Sequence, residues 1–224
     1  MIFGPTPVAE AAGALLAHSE RAGKLVFKKG RLLTQADTKA LAAAGVTEVF
    51  AARLEAGEVG EDAAAARIAA ALHGPGIRAN APFTGRVNLF AEATGVFSID
   101  VGRLDRLNLL DESVTVATLP AYAVVEAGQM VATIKIIPFA APEQVLRRAA
   151  AIATSPLSHF MRVSAFAAKR VALVQSTLPS VKPSVLDKTV EITTRRLDRF
   201  GATLLGERRC QHTAAAIADA VQAA

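Results

Sequence analysis

The sequence predicts two structural regions: an N-terminal α+β module with a small β barrel or sandwich, and a partial α/β domain with a parallel sheet. Three observations support this fold class. Alanine-rich segments with helix-capping signals precede residue 77, short β-rich segments separated by glycines fill residues 77–139, and a strand-helix-strand-helix pattern follows residue 168. We therefore place an N-terminal module at 1–155, a connector at 156–168 and a C-terminal domain at 169–224.

The composition is typical of a globular protein. The chain has 224 residues, of which 52% are hydrophobic and 20% are charged, so it can bury a sizeable core. No segment reaches the roughly 18 consecutive apolar residues of a membrane span, and no secretory signal is evident. The single cysteine, Cys210, excludes an internal disulfide. We therefore expect a soluble, cytoplasmic protein that does not act at a membrane.

Positive charge is concentrated at the C-terminal end of the chain. Residues 1–168 contain 16 basic and 15 acidic side chains, whereas residues 169–224 contain 9 and 5. Such an excess favours an anionic ligand, although a solvated basic face is the alternative. With one tyrosine and no tryptophan, the sequence lacks the interleaved aromatic residues of a nucleic-acid surface, so we expect no nucleic-acid partner.

Capping signals define the first helices. Thr34 and Asp37 have the spacing of a capping box, which predicts a helix that begins there and ends at Gly45. A strand is predicted from Val46. A second, alanine-rich helix is predicted over residues 61–72.

The middle of the chain is predicted to be β-rich. In residues 131–137 successive side chains point to opposite faces of a predicted strand. One face is apolar and the other carries both polar and apolar residues, as expected of a small barrel or sandwich. Pro142 closes this region and opens a helix that ends at Ala153.

The C-terminal segment has the pattern of a parallel crossover unit. Residues 171–174, with the sequence VALV, are typical of a strand buried on both faces. Ser184 and Asp187 are spaced as a second capping box, and Gly201 ends the helix that they open. A second strand follows, and Thr213 opens the last helix.

The loop after the first C-terminal strand holds the candidate site. In a parallel sheet, ligands bind beyond the carboxyl ends of the strands, where helix amides are free. Hydroxyl, carboxylate and ammonium groups of this loop are candidates for an anion or phosphate site: Ser176, Thr177, Lys182, Ser184, Asp187 and Lys188. The alternative is that Ser184 and Asp187 only cap the helix and that the lysines are solvated.

No other chemistry is indicated by the sequence. The four histidines are far apart, and none has a carboxylate or cysteine at ligand spacing. We therefore predict no metal site and identify no catalytic residue.

Long segments of the chain resemble a known family. Residues 169–221, from KRVALVQSTLPSVKPSVLDKT to the last helix, resemble the first half of the molybdopterin-binding domain of molybdenum-cofactor biosynthesis proteins. The segments KKGRLLTQADTKALAAAGVTEVFAARL, APFTGRVNLFAEATGV and GQMVATIKIIPFA are similar to parts of molybdopterin molybdenumtransferases or of bacterial molybdopterin-binding proteins.

The resemblance implies a ligand and a set of contacts. The ligand is molybdopterin or its nucleotide adduct, with Mg²⁺ as a further candidate in the complete protein. By position, Ser176 and Thr177 match the loop hydroxyls and Asp187 matches the helix-start carboxylate. The glycine-rich phosphate loop of the family would follow Ala224, so we expect the chain to be truncated within the domain and to have little pterin affinity alone.

Three functions stay open at this point. The first is molybdopterin binding in cofactor biosynthesis or delivery, with or without molybdenumtransferase activity, because Leu178 and Pro179 replace the glycine-bearing turn of the transferases. The second is a non-catalytic module that docks onto a molybdoenzyme maturation partner or forms a homodimer. The third is an unrelated α/β enzyme for a sugar phosphate or nucleotide.

Overall fold

The computed structural model describes residues 1–155 and 158–224, and it shows a mixed α/β protein. Most of its strand pairs are antiparallel and lie in small sheets. The first two residues of the predicted connector, 156–157, lie outside the described residues. In the part of the chain that is described, no helix is long and apolar enough to cross a membrane.

Helices and strands are numbered in chain order. The helices are α1 (Gln35–Ala43), α2 (Glu61–Leu72), α3 (Val101–Asn108), α4 (Glu143–Ala153), α5 (Pro183–Asp198) and α6 (Ala214–Gln222). The strands are β1 (Ile2–Pro7), β2 (Leu15–Leu16), β3 (Glu20–Ala22), β4 (Leu25–Phe27), β5 (Glu48–Arg53), β6 (Glu58–Gly60), β7 (Ile77–Ala79), β8 (Arg86–Ala91), β9 (Gly95–Ile99), β10 (Val114–Thr118), β11 (Val124–Val125), β12 (Met130–Ile136), β13 (Ala140–Pro142), β14 (Met161–Ala165), β15 (Arg170–Thr177) and β16 (Thr203–Gln211).

The chain divides into two compact units. The first unit contains Met1–Ala93 and Phe97–Ser164, and the second unit contains Thr94–Val96 and Ala165–Ala224.

The N-terminal part of the first unit is built on the antiparallel sheet β1-β5-β2. The predicted capping box is confirmed, since the Thr34 side chain accepts from the Asp37 amide and the Asp37 carboxylate accepts from the Thr34 amide. Helix α1 therefore begins at Gln35, and it buries Leu41 in a small core with Leu16 and Val49.

The larger core of the first unit lies between α2 and the antiparallel sheet β10-β12-β8-β7. The helix predicted over residues 61–72 is confirmed. Its small side chains Ala64, Ala65 and Ala69 are fully buried, which allows the helix to approach β8 and β12 closely.

The region was predicted to be a small barrel or sandwich, and the barrel is wrong, because the described residues contain no closed barrel. Residues 77–139 instead contribute to separate small sheets, and they contain α3, which the sequence analysis missed. Asp100 caps this helix by accepting from the Arg103 amide. Strands β7, β8, β10 and β12 form one open sheet, whereas β9 and β11 lie in a different sheet with β14, so the strands of this region do not close on themselves.

A buried guanidinium holds α3 in place. Arg103 is 5% exposed and pairs with Asp100 at 2.9 Å. It also donates to the carbonyl of Ala153 at the end of α4 and to the carbonyls of Ser158 and His159. The buried charge is thus satisfied mainly by backbone carbonyls.

In the second unit, β15 and β16 pair in parallel, with α5 and α6 packed on β16. In the described residues the sheet of β15 and β16 has these two strands alone, so they do not belong to a larger parallel sheet there. The prediction that residues 171–174 are buried on both faces is wrong, because Ala172 is exposed and its neighbours are half-buried. A pair of two strands has two free edges and cannot bury a strand as the interior of a wide sheet does.

The start of α5 also differs from the prediction. Lys182 is the N-cap and Pro183 is the first helical residue, so the capping box expected from Ser184 and Asp187 is wrong. Proline has a backbone angle suited to the first helical position, which shifts Ser184 inside the first turn. The predicted cap of the last helix is confirmed, since the Thr213 side chain accepts from the Ala216 amide.

Candidate functional site

The candidate site lies at one edge of the second unit, where the carboxyl ends of two strands meet. The parallel register sets Thr177, the last residue of β15, opposite Gln211, the last residue of β16. Residues 178–182 leave this edge and lead into α5 at Pro183. Loop side chains and helix amides at such an edge are available to a ligand.

Ser176 and His212 form a polar pair at this edge. Oγ of Ser176 lies 2.7 Å from Nδ1 of His212, although the two residues are far apart in sequence. The register pairs Ser176 with Cys210, and this pairing brings His212 within reach. Among the described residues, no carboxylate hydrogen-bonds His212, so the pair lacks the third group that orients a catalytic histidine.

Thr177 and Gln175 fix β15 to its neighbours. Oγ1 of Thr177 donates to the Cys210 carbonyl at 3.0 Å, so this hydroxyl is committed to the backbone. Gln175 is buried, and its Nε2 donates to the Leu186 carbonyl at 3.1 Å and to Oε1 of Glu207 at 2.5 Å. Of the two predicted hydroxyls on β15, that of Ser176 is paired with a side chain and that of Thr177 with the backbone.

Arg209 occupies the centre of a charged network. Its Nε donates to Oε1 of Glu207 at 2.6 Å, and its Nη2 donates to Oδ1 of Asp187 at 2.5 Å. Hydrogen bonding to Glu207 and then to Asp187 raises the pKa of Arg209, and the same guanidinium lowers the pKa of the Glu207 carboxyl. Asp187, a predicted ligand contact, is thus the partner of a cation of the protein itself.

The remaining predicted residues lie on the first two turns of α5 or just before it. Lys182 is the N-cap residue, and its exposed ammonium has no ion-pair partner in the described part of the chain. Ser184 is exposed in the first turn, where no side chain caps the helix. Lys188 pairs with Glu191 at 2.7 Å, so its charge is already balanced.

Three members of this site were not predicted from the sequence: Glu207, Arg209 and His212. They lie on β16 or directly after it, and only the strand register brings them opposite β15. The pair Arg208-Arg209 was visible as a basic dipeptide, but nothing in the sequence indicates which of the two side chains faces Asp187.

The site contains no candidate metal centre. Within residues 1–155 and 158–224, no group of three or more histidine, cysteine, aspartate or glutamate side chains could hold an ion. The arrangement is instead suited to hydrogen bonding and to electrostatic attraction of an anion near Lys182.

Comparison with known proteins gives one partial match. Residues 5–53 match the model of a family described as Domain of unknown function (DUF8806). This segment extends from β1 to the end of β5 in the first unit and contains none of the candidate-site residues. No curated protein and no solved structure matches the chain.

Proposed function

We propose that the second unit binds molybdopterin, or its nucleotide adduct, at the carboxyl edge of β15 and β16. Under this proposal β15, α5, β16 and α6 form part of a parallel-sheet molybdopterin-binding domain, and the protein acts in cytoplasmic molybdenum-cofactor biosynthesis or delivery. The resemblance of residues 169–221 to that domain supports the choice of ligand.

One observation carries the proposal: the amino end of α5 and the unpaired Lys182 lie at the edge that also holds Ser176 and His212. Helix α5 has 16 residues and no side-chain cap. Pro183 has no N–H and the Val185 amide donates to the Lys182 carbonyl at 3.0 Å, so the Ser184 amide is the group of the first turn that is left for another acceptor in the described residues. A phosphate group is such an acceptor, and the helix dipole adds to the attraction.

The charges at this edge assign different roles to its residues. Arg209 is held by Asp187 and Glu207, so its charge is not free for a ligand. The attraction for a phosphate therefore comes from Lys182, the Ser184 amide and the dipole of α5, while Ser176 and His212 supply hydrogen bonds. Since the Ser176–His212 pair has no orienting carboxylate in the described residues, the arrangement favours binding over catalysis by Ser176.

Equilibrium titration with molybdopterin under anaerobic conditions tests the proposal. We expect weak, saturable binding by the wild-type chain, and we expect Lys182→Ala to weaken it by about three- to tenfold, the effect of one exposed charge contact.

Lys169→Ala is the matched control. Lys169 is also exposed and unpaired in the described residues, but it immediately precedes β15 and so lies at the opposite end of that strand. It should leave the affinity unchanged. Equal losses in the two variants would mean that general charge attraction, and not this edge, binds the ligand.

A further inference from the structure

The first unit contains a cavity whose lining differs in chemistry from the candidate site of the second unit. It has a volume of about 260 Å³, and its walls are formed by Met1, Phe3, Lys29, Glu61, Ile137, Pro138 and Phe139. All these residues belong to the first unit. The cavity therefore combines apolar walls with one acidic and one basic side chain. The N-terminal ammonium of Met1 also lies at this cavity, but it is paired with Glu55 and Glu58.

Glu61 is the polar group of this cavity that lacks a partner. It is the first residue of α2, and its amide donates to the Phe139 carbonyl at 2.9 Å. Its carboxylate is half-buried and forms no hydrogen bond or ion pair within the described residues. A half-buried carboxylate without a donor gains free energy when a ligand supplies N–H groups.

Gly85 makes room for this carboxylate. A Cβ atom at Gly85 would lie 2.8 Å from Oε2 of Glu61 and 2.9 Å from the Ile136 carbonyl oxygen. A glycine at this position thus leaves the space that the Glu61 carboxylate occupies. Burial raises the pKa of the Glu61 carboxyl, Asp62 raises it further and Lys29 opposes the rise.

The apolar walls of the cavity are flat. The rings of Phe3 and Phe139 have centroids 6.2 Å apart and planes inclined by 25°. Nζ of Lys29 lies 5.5 Å from the centroid of the Phe139 ring. Phe3 is 54% exposed, which leaves ring surface available for a planar ligand to stack on.

The two charges decide the class of ligand. A simple cation would be repelled by Lys29, and a simple anion would be repelled by Glu61. A neutral ring with N–H donors and a carbonyl acceptor satisfies both side chains without bringing a charge out of water.

We propose that this cavity binds a flat, neutral nitrogen heterocycle in which a ring N–H lies between an exocyclic amino group and a ring carbonyl, the edge that guanine presents. Glu61 accepts from the two adjacent N–H groups, Lys29 donates to the carbonyl, and the base stacks on the exposed face of the Phe3 ring, which Phe139 supports from its other side. The site is separate from the phosphate-binding edge of the second unit, and its test does not depend on that edge.

Titration with guanosine at pH 7.5, followed by NMR on Phe139 ring and Glu61 amide signals, tests this proposal. We expect saturable shifts with guanosine. Inosine has the same ring N–H and carbonyl but lacks the amino group, so we expect it to bind the wild-type protein about tenfold more weakly.

Glu61→Gln removes the charge and one acceptor while it keeps the shape, and we expect it to reduce guanosine affinity about tenfold. Glu112→Gln is the matched control, because Glu112 is exposed and unpaired in the described residues, and it should bind as the wild type does. Equal affinity for guanosine and inosine, no effect of Glu61→Gln, or preferential binding of a zwitterionic amino acid such as phenylalanine would overturn the proposal.

Discussion

At the scale of single residues, the clearest interaction is the network around Asp37. This carboxylate accepts from Nε and Nη2 of Arg31 at 3.0 and 2.9 Å and from the Thr34 amide at 3.0 Å. The Arg31 hydrogen bonds, followed by the Thr34 amide, lower the pKa of Asp37 to about 2. The side chain thus closes the cap of α1 and pairs with a cation.

Asp37→Asn should therefore destabilise the protein in a pH-dependent way. In the unfolded chain an aspartate has a pKa of about 3.9. The folded-state pKa is lower, so the stabilisation is fully present above about pH 4 and disappears as the pH falls toward 2. Because Arg31 is half-exposed, we expect a loss of about 1–2 kcal/mol in the free energy of unfolding at pH 7.

Urea unfolding at pH 7, 5 and 3 measures this difference. Asp105→Asn is the control, since Asp105 is exposed on α3 and unpaired in the described residues, and we expect it to change stability by less than about 0.5 kcal/mol. Equal stability of the two variants at pH 7 would contradict the assigned role of Asp37.

Sequence reasoning succeeded at this scale where the interaction is local. The Thr34–Asp37 box lies within four consecutive residues, so its spacing in the sequence is also its spacing in the structure. The Arg209–Asp187 and Ser176–His212 pairs join distant residues through strand register, which no local pattern encodes. Among the predicted site residues, Asp187 and Lys188 were identified without the partners that neutralise them.

At the scale of elements, helices with strong start signals were predicted well and the short capped helix α3 was not. Helix α2 has the bounds expected from its alanine-rich run, and α4 begins one residue after Pro142. Helix α3 lies between β-rich segments, and Asp100 was its only start signal. At α5, Pro183 overrode the capping box expected from Ser184 because proline favours the first helical position.

Gly76 provides a test of packing between elements. Its φ is +75°, and a Cβ atom there would lie 2.3 Å from the Val163 carbonyl oxygen, so β14 depends on glycine at this position. Gly76→Ala should reduce the free energy of unfolding by about 3 kcal/mol or more, from backbone strain and overpacking together.

Gly128→Ala separates these two costs. Gly128 has a similar φ of +82°, but a Cβ atom there would have no neighbour within 4 Å. We expect this variant to lose about 1–2 kcal/mol, the cost of the backbone conformation alone. If chemical denaturation gives the same loss for both variants, the close contact with Val163 is not what requires glycine at residue 76.

At the scale of the whole molecule, the sequence predicted mixed α/β content, but it did not predict how the strands combine. Alternating residues of β12 were recognised, yet alternation does not distinguish a barrel from small open sheets, because closure depends on pairing between distant strands. The two strands β15 and β16, which a helix separates in sequence, were correctly expected to pair in parallel. The helix runs back along the sheet, so the second strand begins at the same end of the sheet as the first. The apolar run of β15 suggested more burial than a two-stranded pair provides.

We propose that a phosphorylated pterin binds at the carboxyl edge of β15 and β16, and residue-resolved NMR mapping of amide shifts on addition of molybdopterin is the decisive experiment. We expect the largest shifts at Ser176, at Lys182 and Ser184 to Asp187, and at His212, with much smaller shifts at Lys169 and Thr203 at the other end of the strands. Shifts that centre on Lys169 and Thr203, or on residues of the first unit, would contradict it.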